Sequence, residues 1–435
     1  MTFKILALWT FILIGRPQDI FAAVAVMRPA LVVGVATQLM AFSQITEARI
    51  TSVLQIPEVR KYLLFYLIML MGIPFAYHRR VAFEYSVTLY SISVMFFLVF
   101  VLVVNTMKQF QSMILVVCGG ALTYGIFVLS TGAVAEGRLM PSGNMYDPND
   151  IAYVMVSLLP LGFFYILHCS KGMVKALIAG ASICVSTVVI LASGSRGGLV
   201  SLSALVLLLV MAKGQIIRWR WKFALLAAIV VIGLLNLDRI NVDRLQTVSD
   251  IGSDYNATDE FGRIEIWKKG VDIFLTYPLT GVGANCFAMA IGFMRQDLNL
   301  IPAWQEAHNS YLQVAAEMGL PGIIVLLLLI AVCYRNFKVC QRLPDSSRSS
   351  RELQELKTIA WTLQVGFTAH LVAAFFLTQG YSILFVLYFG FSAVLRQLAS
   401  DIARENGAQV GNGNTFSHII KPVYVNGPSH GSARE

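Results

Sequence analysis

The sequence predicts an all-α polytopic membrane protein, with about 12 transmembrane helices and one large loop on its outer face. Composition is the first reason. Of 435 residues, 57% are hydrophobic and 13% charged, and the mean hydropathy is +0.69. Soluble domains carry roughly a quarter charged residues. The second reason is run length. A helix needs about 20 mostly apolar residues to cross a core of about 30 Å, and lipid offers the backbone no other hydrogen-bond partner. The third is where the charges fall. The net charge of +9 collects in short loops, Lys213–Lys222 and Arg335–Lys357. Cytoplasmic loops show that bias, so the basic balance points to topology rather than to nucleic acid.

In chain order the spans are expected near 3–15, 19–42, 62–77, 85–105, 112–131, 151–169, 174–193, 197–213, 222–238, 319–334, 357–377 and 380–397. The first and third are short for a full crossing, and the first is expected to be retained because no small-residue cleavage site follows it cleanly. Placing the two basic loops in the cytoplasm puts both termini there. Loops 132–150 and 239–318 and the junction 193–198 then lie outside. His78-Arg79-Arg80 is the basic cluster on the wrong side, either an anchor to headgroups or a sign of a different early topology. Residues 1–400 form one transmembrane domain, 239–318 its large outer loop, and 401–435 a polar, glycine-rich tail expected to be disordered. Cys286 alone of the six cysteines falls in the large loop, so no structural disulfide is expected.

The large loop is too long for a plain connector. A helix is expected over 261–277, with Ile266, Gly270, Ile273 and Phe274 on one face and Asn256, Thr258 or Asp259 as its cap. A second helix, over 304–318, should end at Gly319-Leu320-Pro321, where Gly stops one helix and Pro can begin the next.

Three short stretches on the outer side could carry chemistry. Ser193-Gly194-Ser195-Arg196-Gly197-Gly198 puts an arginine and small residues at a helix start. Free N–H groups and the positive dipole end suit an anion there; a tight hairpin whose arginine snorkels to the interface fits equally. Arg263, in Phe261-Gly-Arg-Ile-Glu-Ile-Trp267, could clamp phosphate oxygens with its planar fork, or pair with Glu260 or Asp259. The stretch after it, Pro278-Leu-Thr-Gly-Val-Gly-Ala-Asn285, is read as a turn. His308, in Ala307-His-Asn-Ser-Tyr-Leu312, could act as a general base, or be a surface histidine at a helix start. Asp147-Pro148-Asn149-Asp150 most simply caps the sixth span, with contact to substrate as the alternative; Arg138 could add positive charge beside an anion; and His370, an intramembrane ionisable residue, is either a functional group or a hydrogen-bond partner of a neighbouring helix. There is no Asp-x-Asp, metal-spaced His/Cys cluster, P-loop or Gly-x-Ser-x-Gly. Neither a metal nor another cofactor is expected.

In their order and spacing these motifs resemble the O-antigen ligase and polymerase superfamily of bacterial envelope enzymes. The matching features are Ser193-Gly-Ser-Arg196-Gly-Gly, Gly262-Arg263 with Trp267, Pro278-Leu-Thr-Gly-Val-Gly283, His308-Asn-Ser-Tyr-Leu-Gln313 and Glu317-Met-Gly-Leu-Pro-Gly322, within residues 150 to 335. The resemblance implies a membrane-embedded glycosyltransferase fold in the bacterial inner membrane, with its site facing the periplasm. It implies metal-independent, inverting transfer of a glycan from undecaprenyl diphosphate to lipid A–core oligosaccharide. Arg196 and Arg263, with Ser195 and Arg138, would then bind the donor diphosphate. His308, with Asn309 and Tyr311, would serve the acceptor. A polymerase or a protein O-oligosaccharyltransferase of the same superfamily keeps the donor and changes the acceptor. A transporter or flippase of lipid-linked glycan is the alternative from another class; no half-to-half symmetry of broken helices points to it.

Overall fold

The computed structural model describes residues 1–135, 137–142, 146–168, 172–212, 218–235, 262–297, 299, 301–302, 304–344 and 350–405. It is an all-α membrane bundle. Among the described residues, six helical stretches are long and apolar enough to cross a membrane: Arg79–Val103, Met107–Thr131, Pro148–Leu167, Met173–Ala192, Ser310–Gln341 and Ile383–Ala403. Pro29–Gln44 and Glu47–Leu54, bent by 112°, make a seventh if taken as one span. The expected count of about 12 is not matched by full-length spans. Thr2–Gly15 has 14 residues, Pro57–Met71 has 15 and Arg196–Met211 has 16, all short of the roughly 20 that a crossing needs.

The expected span 19–42 is not one helix. It is divided into Pro17–Ile20, Ala22–Val26 and Pro29–Gln44. Arg16 and Arg28, each before a proline, have φ of 48° and 45°. The proline ring disfavours the right-handed helical region for the residue before it, so both chain breaks follow from the sequence. The expected break at Gly319–Pro321 is present as a kink. Gly319 has φ 66° and ψ −166° inside the element Ser310–Gln341, which starts at Ser310 rather than 304.

Between Met107–Thr131 and Pro148–Leu158 the chain forms a small antiparallel hairpin, Ala133–Ala135 with Arg138–Met140, where a plain loop was expected. Ala135 pairs with Arg138 across a turn in which Gly137 takes φ 67°. The helix of the large loop is Arg263–Thr276, and its N-cap is Gly262, without a side-chain cap. The caps expected at Asn256, Thr258 and Asp259 lie outside the described residues, as do Glu260 and Phe261. Helix Ile383–Glu405 continues past 401, so the first residues assigned to the tail are helical; those beyond Glu405 lie outside the described residues. The five described cysteines are free thiols.

The core runs through the bundle. Trp9, Tyr62, Phe97, Phe100, Phe110 and Tyr388 are fully buried. Small residues permit close helix contact where lipid supplies no hydrophobic drive: a Cβ on Gly120 would stand 3.0 Å from Ile14, so a larger residue there would push Thr2–Gly15 away from Met107–Thr131. The end of Ser350–Ala374 and the starts of Pro148–Leu158, Arg196–Met211, Ser310–Gln341 and Ile383–Glu405 come together. Those helix ends frame the cavities described next.

Candidate active site

Two consecutive turns form the Ser193–Gly198 junction. Ser193 Oγ accepts from Ser195 N at 3.2 Å, Gly194 adopts φ 59°, and Ser195 caps Arg196–Met211 by accepting from Gly198 N at 3.2 Å. Two of the glycines admit neighbouring helices. A Cβ on Gly198 would lie 2.7 Å from Ala152, and one on Gly197 would lie 3.0 Å from Phe376. Arg138 ties the hairpin to this junction: its Nε donates to Ser193 O at 3.0 Å and Nη2 to Asn149 Oδ1 at 2.9 Å.

The large loop brings the other two groups. Arg263 occupies the first position of Arg263–Thr276, whose Trp267 Nε1 donates to Ala307 O at 3.1 Å. The next residue, His308, sits at φ 46°, left-handed backbone that costs an L-residue about 1–3 kcal/mol. Its N–H donates to Thr378 Oγ1 at 2.8 Å. Asn309 then caps Ser310–Gln341 by accepting from Tyr311 N and Leu312 N, both at 3.0 Å. Ser310 Oγ donates to Leu377 O at 2.7 Å and accepts from Gln379 N at 3.0 Å, while Gln313 Oε1 accepts from Gly380 N at 2.9 Å. The His308–Gln313 motif therefore grips the break between Ser350–Ala374 and Ile383–Glu405.

Arg138, Ser195, Arg196, Arg263 and His308 all line one cavity of about 240 Å³, with Tyr153 and Phe376 among its walls. Those residues are as many as 170 positions apart in sequence, and no carboxylate is among the described residues lining the cavity. A helix start and three guanidiniums around one space are the chemistry that could hold an anion. Burial, then the Arg263 cation, lower the His308 pKa from its usual value, partly opposed by Asp147. The imidazole is therefore neutral at neutral pH and available as a proton acceptor.

Asn309 and Tyr311 line neither this cavity nor its neighbour. The Asn309 side chain is occupied as a cap, and Tyr311 OH donates to Leu371 O at 2.8 Å. Asp147 is a cap, in a capping box with Asp150. His370 is fully buried with Nδ1 3.1 Å from Ser157 Oγ, a contact to a neighbouring helix. Among the described residues no group of three or more His, Cys, Asp or Glu side chains converges as a metal-binding set.

Sequence reading missed the segment Thr378–Ser382. Its signal was present as polar residues in the narrow gap between two expected spans. It also missed Arg16, which lines the neighbouring cavity.

Fold and cavity together define a polytopic α-helical membrane protein with a cationic site at one end of its bundle. Residues 180–327 match the family model described as O-antigen ligase. That match supports the O-antigen ligase superfamily and a ligase- or polymerase-like membrane enzyme. It spans Arg196, Arg263 and His308 and leaves out Arg138 and the 378–382 segment. No curated protein matches the chain.

Proposed function

We propose that the protein is a glycosyltransferase of the bacterial inner membrane. It transfers a glycan from undecaprenyl diphosphate to lipid A–core oligosaccharide at the periplasmic face. The observation that carries this reading is the convergence of Arg138, Arg196, Arg263 and His308 on one cavity. Cleaving a sugar–diphosphate bond leaves the electron pair, and negative charge, on the diphosphate. Guanidiniums and a helix N-terminus already fixed around that position stabilise the charge as it develops. Arg138 is held by Ser193 and Asn149, so it is oriented before any ligand arrives.

The acceptor hydroxyl forms the new bond to the anomeric carbon from the side opposite the leaving group, which inverts that centre. Its proton passes to the neutral His308 imidazole, which becomes imidazolium and later returns the proton to solvent. The left-handed backbone and the Thr378 contact hold His308 for that task. The test is an incubation of purified protein with undecaprenyl-diphosphate glycan and three separate acceptors: lipid A–core, the donor itself, and a protein. Product on lipid A–core supports a ligase. Product on the donor makes the enzyme a polymerase, and product on protein an O-oligosaccharyltransferase. Donor binding without transfer to any acceptor sinks the enzymatic reading.

A further inference from the structure

A second cavity, of about 890 Å³, adjoins the arginine cavity, and Tyr153, His308 and Leu377 line both. Its volume is in the range of roughly 300–1,000 Å³ typical of small-molecule sites. The two differ in chemistry. Asp147, Asp150 and Glu306 line the second cavity. Arg16, the one arginine among its described lining residues, is already paired with Asp19, at 2.5 Å from Nε and 3.1 Å from Nη2, and lies over the Tyr146 ring at 4.9 Å. A positive chamber and a negative chamber thus meet at His308.

An acidic lining alone would identify no ligand. The remaining walls do. Tyr85, Tyr146 and Tyr381 offer ring faces, and Asn285, Gln313 and Gln379 offer amides. The Tyr381 side chain is 94% buried, and its hydroxyl lies beside the Glu317 carboxyl. Carboxylates and amides accept from and donate to ring hydroxyls, and tyrosine faces cover the apolar side of a pyranose ring. An anionic ligand would meet Glu306 and Asp150 at close range.

We propose that this second cavity is the acceptor subsite, that it takes a sugar bearing no negative charge beside the attacking hydroxyl, and that Glu306 and Asp150 enforce that choice. The assignment rests on the glycosyl-transfer reading of the arginine cavity. It places the acceptor hydroxyl at His308 from the side opposite the diphosphate.

The test is direct binding, which needs no turnover. Full-length protein in lipid nanodiscs is titrated with a neutral hexose trisaccharide and with the same trisaccharide ending in a hexuronic acid. The neutral sugar is expected to bind at least about tenfold more tightly, with the gap shrinking as salt rises. Glu306→Gln, an isosteric change at an exposed side chain, should narrow the gap by strengthening uronate binding. Equal affinities, no neutral-sugar binding, or an unchanged gap in Glu306→Gln would each overturn the proposal. Those failures together with intact transfer to lipid A–core would leave the enzymatic reading standing. The expected binding pattern without transfer to any acceptor would support the sugar site and remove the enzymatic reading instead.

Discussion

At the residue scale, the three arginines around one cavity differ in how they are held, and so in what substitution should do. Arg138 is fixed by two hydrogen bonds, to a carbonyl and an amide. Arg196 and Arg263 sit at the first positions of their helices, where guanidiniums can approach a diphosphate with two prongs. Arg196→Lys and Arg263→Lys keep the charge but lose the fork. Both are expected to retain less than about a tenth of wild-type transfer, a loss of roughly 1.4 kcal/mol or more in transition-state stabilisation. Full activity in either lysine variant, measured by product formation on lipid A–core, would reduce that arginine to a generic charge.

His308 allows a paired test, because its backbone is strained whatever the side chain does. His308→Ala keeps the strain and His308→Gly removes it, so the glycine variant should melt higher, by about 1 kcal/mol of stability. Neither should transfer glycan, with a loss of about 10² to 10⁴-fold. Both should still bind the lipid-linked donor, whose charge the arginines hold. Since burial and Arg263 lower the imidazole pKa, kcat/KM should stay level as pH falls from 8 through the usual histidine value of about 6.5. It should drop only below that point, as the imidazole becomes protonated and cannot accept a proton. A drop centred above 6.5 would assign the titration to another group.

At the element scale, the turn after Arg263–Thr276 is held by one carboxylate. Glu317, 2% exposed, accepts from Asn285 N at 2.9 Å and Phe287 N at 3.0 Å, while Val282 N and Gly283 N donate to the carbonyls of Ala316 and Glu317. Gly319 is needed at the same contact, since a Cβ there would stand 2.7 Å from Pro278 O. Glu317→Ala leaves the buried Phe287 N–H without its acceptor and frees the more exposed Asn285 N–H. It should cost on the order of 1–3 kcal/mol, read as a lower melting temperature, and should loosen Asn285 at the second cavity. Wild-type melting with lost activity would instead give Glu317 a direct part in chemistry.

For the whole molecule, the basic loops and the framing of the cavities by helix ends make one prediction about orientation. Reporters fused at Asn256 and after the C-terminus should read opposite sides of the membrane, the first periplasmic and the second cytoplasmic. The same side for both would detach the cavities from a periplasmic acceptor. The match over residues 180–327 covers part of the chain, yet cavity walls also come from Arg16, Tyr85, Arg138 and the 377–384 segment. The site is therefore a property of the assembled bundle. A fragment limited to 180–327 lacks walls of both cavities.

The sequence by itself determined that this chain is helical and spans a membrane, because long apolar backbone has no other way to satisfy its hydrogen bonds in lipid. It also determined local punctuation: the cap at Asp147, the break at Gly319 and the turn at Gly281–Asn285 rest on side-chain and φ preferences a few residues wide. The candidates Arg196, Arg263 and His308 were legible as motifs. Their grouping with Arg138 came only from the family resemblance, and the short first and third spans from run length; the hairpin and the second cavity were not legible. In a bundle the lipid-facing and buried sides are both apolar, as exposed Leu207 and buried Leu205 and Leu209 show. Periodicity then no longer says which face turns inward, and small-residue packing and buried polar contacts between distant helices decide it. Only the tertiary structure could place residues from Arg16 to Leu384 around one space, because contacts at such separations leave no trace in local pattern.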